Sequence, residues 1–143
     1  MFDILQDLPI KAPAERVFTA VSTPDGLAQW WALSATGVPA PGADIDLSFG
    51  PAYNWSARVT SYRPSTAFEL EMTRADADWT GTRVRIDLEP RGPHTWLRFR
   101  HSGWPDENEH YRISGHCWAM SLRVLRRGKE HVEVVPYQDR LDV

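Results

Sequence analysis

Residues 105–128 read PDENEHYRISGHCWAMSLRVLRRG, and this stretch decides the fold. Tyr111, Gly115, Trp118, Leu122 and Leu125 recur at intervals of four, three, four and three, which predicts one stripe of a long helix. Ile113, Cys117, Met120 and Val124 repeat those intervals one step around, so the apolar face is wide. Glu109, Arg112, His116, Ala119, Arg123 and Arg126 make up the mostly polar remainder. A helix with so broad an apolar face has to be covered by a sheet. Asp106 with Glu109 three residues on, after Pro105, predicts a capping box. Arg126 and Arg127 before Gly128 predict the C-terminal end.

Upstream of that helix the hydrophobic period is two. Ile45, Leu47 and Phe49 alternate with polar residues, as do Trp55, Ala57 and Val59, then Phe68, Leu70 and Met72. Val84, Ile86 and Leu88 continue the pattern, and Leu97, Phe99 and His101 share one face of a last strand while Trp96, Arg98 and Arg100 share the other. Gly50-Pro51, Arg63-Pro64 and the segment Pro90 to Pro93 mark turns, and Ala75 to Gly81 is a longer connection containing Trp79. One apolar and one charged face is the signature of an antiparallel sheet with a single wet side. Further upstream, Pro13 opens one short helix and Thr23 caps a second that begins at Pro24, and Ile4 to Ile10 form a first strand. Gly37 to Gly42 read as a loop. The order predicts an α+β domain of about six strands and a long C-terminal helix, a single domain over residues 1–143. Residues 129–143, with Val132, Val134, Val135 and Tyr137, form an extended tail packed on it.

Composition narrows the function classes. Net charge is −3 with no basic run, which argues against nucleic acid. No apolar run is long enough to span a membrane, and acidic Asp3 and Asp7 without a basic n-region predict no signal peptide. Cys117 is the sole cysteine, so no disulfide framework exists and a cytoplasmic setting is expected. Seven tryptophans in 143 residues are many, and they suit cores and ligand cavities alike.

The element order, with APAERVFTAVSTPDGLAQWW at residues 12–31 and HSGW at 101–104, resembles the SRPBCC superfamily. Within it the chain is most similar to the group of homologues of the activator of heat-shock-protein-ninety ATPase, over about residues 1–128. The resemblance implies a helix-grip fold, in which a curved sheet grasps the C-terminal helix and leaves an elongated, mostly apolar cavity. The superfamily includes carriers, cyclases and dioxygenase domains, so the fold alone does not fix function. The activator that gives the group its name is larger and has a separate chaperone-binding domain, so co-chaperone activity is not carried over.

Strand parity points His101 toward that cavity, where it would orient a ligand, serve as an acid or base, or simply bond a backbone carbonyl. Trp31, Trp55 and Trp118 come from the short helix, the sheet and the long helix, and together with Phe49, Met72, Phe99, His101 and Tyr111 are expected to line a pocket or to fill the core. Tyr111 would offer a hydroxyl to a ligand or bond a backbone carbonyl. Trp79 and Trp104 are placed in loops closing the two ends of the cavity, and Trp96 on the outer face. Gly115 inside the helix suggests close helix–sheet packing. The five histidines show no metal-binding spacing, and there is no nucleophile elbow, P-loop or dinucleotide motif, so no metal or cofactor is expected. The expected partner is a hydrophobic or aromatic small molecule, with a homodimer as a further possibility. A cofactor-free cyclase, aromatase or hydrolase using His101 and Tyr111 is the alternative. Binding is favoured over catalysis because His101 is one candidate group without an assembled set.

Overall fold

The computed structural model describes residues 1–131 and 136–142. Strand β1 (Phe2–Ile10) is followed by helices α1 (Ala14–Ser22) and α2 (Pro24–Trp30). Strands β2 (Ser34–Gly37), β3 (Asp44–Ser48), β4 (Asn54–Arg63), β5 (Ala67–Arg74), β6 (Arg83–Arg91) and β7 (His94–Trp104) come next. Helix α3 (Glu109–His131) and a 3₁₀ segment (Tyr137–Asp142) complete the chain. The strands form one antiparallel sheet in the order β1-β7-β6-β5-β4-β3-β2, so the N-terminal strand closes beside the last one. This is the helix-grip α+β architecture.

Alternation along the strands separates the two faces as the period of two requires. Val84, Ile86 and Leu88 on β6, and Leu97, Phe99 and His101 on β7, are buried. On the outer face Arg83 and Arg85 pair with Glu69, Arg85 also with Asp87, and Arg98 with Asp7 and Glu89. Trp96 lies on that outer side, with the Arg91 guanidinium 4.7 Å from its ring centroid. At the other end of the chain order, Thr23 Oγ1 accepts a hydrogen bond from Gly26 N at 3.0 Å, so the cap read from sequence is real. Trp30 Nε1 donates to Ala20 O at 2.9 Å and ties α2 to α1.

Four expectations change. The sheet has seven strands rather than six, because Ser34–Gly37 pairs with β3 as an edge strand where a loop was expected to begin at Gly37. Four small residues with no apolar alternation carry no strand signal of their own. Helix α3 starts at Glu109, with Asn108 Oδ1 accepting from Tyr111 N at 2.9 Å, so Asn108 and not Asp106 is the cap. The helix also runs through Gly128 to His131 instead of ending before it. Of the predicted tail, Val132, Val134 and Val135 lie outside the described residues, and Tyr137 begins a 3₁₀ turn rather than an extended segment. That turn packs back on the domain: Arg140 donates to Ala32 O at 3.1 Å and to Ala28 O at 2.9 Å, at the C-terminal end of α2.

Candidate functional site

A cleft of about 500 Å³ opens between α3, the end of α2, the β3–β4 hairpin and the 3₁₀ segment. Its floor on α3 is made by His110, Ile113, Ser114, Cys117, Trp118 and Ser121. These positions follow the 3.6-residue period, and the eleven steps along the helix from His110 to Ser121 give the floor a length of about 16 Å.

The walls are aromatic. Trp31 meets Phe49 with ring centroids 5.5 Å apart, Phe49 meets Trp55 at 4.9 Å, and Trp55 meets Trp79 at 5.0 Å. Trp79 stacks back on Trp31 at 6.4 Å, so the four rings form one contiguous aromatic cluster. Trp118 lies against Trp31 at 5.0 Å and against Trp79 at 5.7 Å. Edge and tilted contacts dominate, as ring quadrupoles prefer. Tyr53 and Ile113, each about half exposed, stand where the cleft meets solvent.

Four of the residues picked out in the sequence, Trp31, Phe49, Trp55 and Trp118, line this cleft. The other four lie elsewhere. Met72 is fully buried in the core, and Phe99 packs beneath Trp118 at 4.5 Å. Tyr111 turns toward β1, where its hydroxyl donates to Asp3 O at 2.7 Å, and takes no part in the cleft. His101 is fully buried behind the tryptophans.

The hydrogen bonds of His101 settle its protonation. Trp118 Nε1, which can only donate, gives its proton to His101 Nδ1 at 3.0 Å. The ring proton therefore sits on Nε2 and goes to Thr82 Oγ1 at 2.8 Å, and Thr82 in turn donates to Trp79 O at 2.5 Å. Burial, with a smaller contribution from His110, lowers the pKa of His101 to about 3. Both nitrogens are occupied and the ring stays neutral, so His101 is a clasp between two tryptophan-bearing segments rather than an acid or base facing the cleft. Trp79 and Trp104 both pack on it, at 4.5 and 5.0 Å, and so stand at one place and not at two ends of the cavity. Trp104 is the last residue of β7 and is fully buried, not a loop residue.

The sequence reading missed most of the polar groups of the cleft. His110 lines it, with Nδ1 3.2 Å from Asp78 Oδ2. Asp78 also accepts from Asn108 Nδ2 at 3.2 Å. Ser114 Oγ accepts from Trp79 Nε1 at 3.4 Å. Asp76, Gln138 and Arg140 complete the polar lining, and burial pushes the Cys117 thiol up, away from nucleophilic character. His110, Ser114, Cys117 and Ser121 are spaced four, three and four, a helical stripe as regular as the apolar one. His110, Ser114 and Ser121 are polar and Cys117 falls on the apolar repeat, so a hydrophobic reading does not separate this stripe.

Residues 11–128 match the family model described as Activator of Hsp90 ATPase homolog 1-like protein. No curated protein sequence matches the chain. Among solved structures, the Aha1 dimer from Colwellia psychrerythraea is 26% identical, with a TM-score of 0.82 over 92% of this chain and 98% of that one. Protein BH1534 of Bacillus halodurans is 24% identical, with a TM-score of 0.76 over 91% and 98%. CalU16 from Micromonospora echinospora is 18% identical, with a TM-score of 0.73 over 98% and 83%.

Proposed function

The chain belongs to the family of Activator of Hsp90 ATPase homolog 1-like proteins, and from that premise we propose that it binds a hydrophobic or aromatic small molecule in the tryptophan-walled cleft. The observation that carries this reading is the contiguous aromatic wall of Trp31, Phe49, Trp55 and Trp79 along a cleft of about 500 Å³. Ligand pockets have this volume and this mixture of apolar walls with a few placed polar groups. A filled core would have brought these rings together without leaving such a space. Binding is favoured over acid–base catalysis by His101, because both of its nitrogens are already engaged. The proposed setting is cytoplasmic, in keeping with the lone Cys117, and the net charge of −3 favours neither nucleic acid nor an anionic membrane surface as partner. Among the described residues no helix is long and apolar enough to cross a membrane.

Native mass spectrometry of the purified protein, set beside a denatured spectrum, tests the reading. A small-molecule adduct that disappears on denaturation is the expected result. A clean apo mass that no added aromatic compound shifts would count against it. The same spectrum reports self-association, which we propose from the dimeric state of the Colwellia protein.

A further inference from the structure

We infer that the cleft selects aromatic molecules bearing a hydroxyl, with His110 Nε2 as the acceptor that recognises the O–H. This rests on the ligand-binding reading above and adds to it the chemical class of ligand. The orientation of His110 follows from its neighbours. Asn108 uses Oδ1 to cap Tyr111 N, so its Nδ2 faces Asp78. Asp78 is then an acceptor for both Asn108 and His110, and His110 Nδ1 is the donor. In the neutral imidazole that leaves a lone pair on Nε2. His110 lines the cleft and Asp78 does not, and the assignment requires the ring edge remote from Asp78 to be the one that faces the cleft. Among the described residues Nε2 has no hydrogen-bond partner, while the ring is fixed edge-on against Trp104 at 5.5 Å. A carboxylate–histidine pair that fixes one tautomer and aims the other nitrogen outward is a preorganised acceptor.

The cleft is lined by both an acidic residue, Asp76, and a basic one, Arg140, so its lining does not select a ligand of one sign. The class is set by a donor on an aromatic frame, for which a phenol is the simplest case. The indole walls supply affinity without identity, and the His110 acceptor supplies the discrimination.

Two probes differing in one proton donor test this: 2-naphthol and 2-methoxynaphthalene, titrated calorimetrically at pH 8 into the wild-type protein, His110→Phe and His110→Gln. The wild type should prefer the naphthol by at least about fivefold, the factor given by one hydrogen bond of about 1 kcal/mol. His110→Phe keeps a ring against Trp104 but has no acceptor, so its ratio of naphthol to ether affinity should fall to about one. His110→Gln, whose amide oxygen accepts, should recover part of the preference. A preference that survives in His110→Phe overturns the assignment to His110, as does a wild type that binds both probes equally. If His110→Phe binds neither probe, His110→Gln decides, since equal binding of both probes there also overturns it. Failure of the wild type to bind either one overturns the cleft reading itself, and this inference with it.

Discussion

At the scale of single residues, the fate of His101 follows from what its partners can and cannot do. Trp118 Nε1 has a proton to give and no lone pair to offer, so protonating Nδ1 breaks that bond and places a charge among tryptophans. The folded pKa of about 3 lies below the ordinary value of 6.5, so between those values the unfolded chain binds more protons than the folded one. Stability therefore falls as pH falls through that window, by up to about 1.4 kcal/mol per pH unit, and this group contributes no slope above it. Urea unfolding from pH 7 to pH 4 should show the wild type losing stability more steeply than His101→Gln, which is less stable at pH 7 but does not titrate there. Parallel losses in the two proteins would assign the acid sensitivity to other groups. The inward direction of His101 was legible in strand parity. Its neutrality was not, because Thr82 and Trp118 lie 19 and 17 residues away in sequence and no local spacing joins them. The Asp78–His110 contact, 32 residues apart, was hidden for the same reason.

At the scale of elements, two glycines that look alike in sequence behave oppositely. Gly26 sits in the first turn of α2, and a Cβ built there would lie 2.6 Å from Ala20 Cα, Ala20 O and Thr19 O. All three are backbone atoms of α1 and cannot step aside, so glycine is what lets α1 and α2 cross so closely. Gly115, in the middle of α3, has only Ile4 Cγ2 near such a Cβ, at an ordinary 3.9 Å. Close packing therefore does not explain Gly115, contrary to the expectation drawn from the sequence. Gly26→Ala should destabilise the protein by about 1–3 kcal/mol, the usual range for forced overpacking. Gly115→Ala should stabilise it by about 0.5–1 kcal/mol, through the better helix propensity of alanine. Denaturant midpoints of the two variants check both signs, and a destabilised Gly115→Ala would mean that the helix needs that close approach after all. Element type was widely legible, since the strands β3 to β7 and the Thr23 cap each carry a local signal. The short edge strand and the Asn108 cap were less so. SATG borrows its conformation from β3, and Asp106 and Asn108 are both cap-forming residue types, of which Asn108 caps Tyr111 N and is held by its bond to Asp78.

At the scale of the whole molecule, the chain's two ends are brought to opposite tasks. The N-terminal strand completes the sheet beside β7, whereas the 3₁₀ segment supplies Tyr137, Gln138 and Arg140 to the lining of the cleft. Among the described residues, Tyr137 meets the Arg140 guanidinium with its ring and Phe49 O with its hydroxyl at 3.5 Å, and Arg140 donates to the carbonyls of Ala28 and Ala32. Those carbonyls are helix-end acceptors without intrahelical partners, and a guanidinium is well suited to both. The cleft thus owes part of its wall to a segment that the buried Arg140 side chain helps to tie to α2. Arg140→Ala removes charge-assisted bonds worth about 1.5–3 kcal/mol each, so the docked position of the segment loses population. Apparent affinity falls in proportion to that population, and a segment docked one third of the time raises Kd about threefold. The naphthol and its ether should weaken by the same factor, because both use the wall and only one uses His110. Calorimetry of Arg140→Ala with the two probes measures this directly. An unchanged Kd for both would show that the segment only rests beside the cleft, whereas selective loss of the naphthol would mean that Arg140 contacts its hydroxyl and that polar recognition in this cleft is shared by two residues.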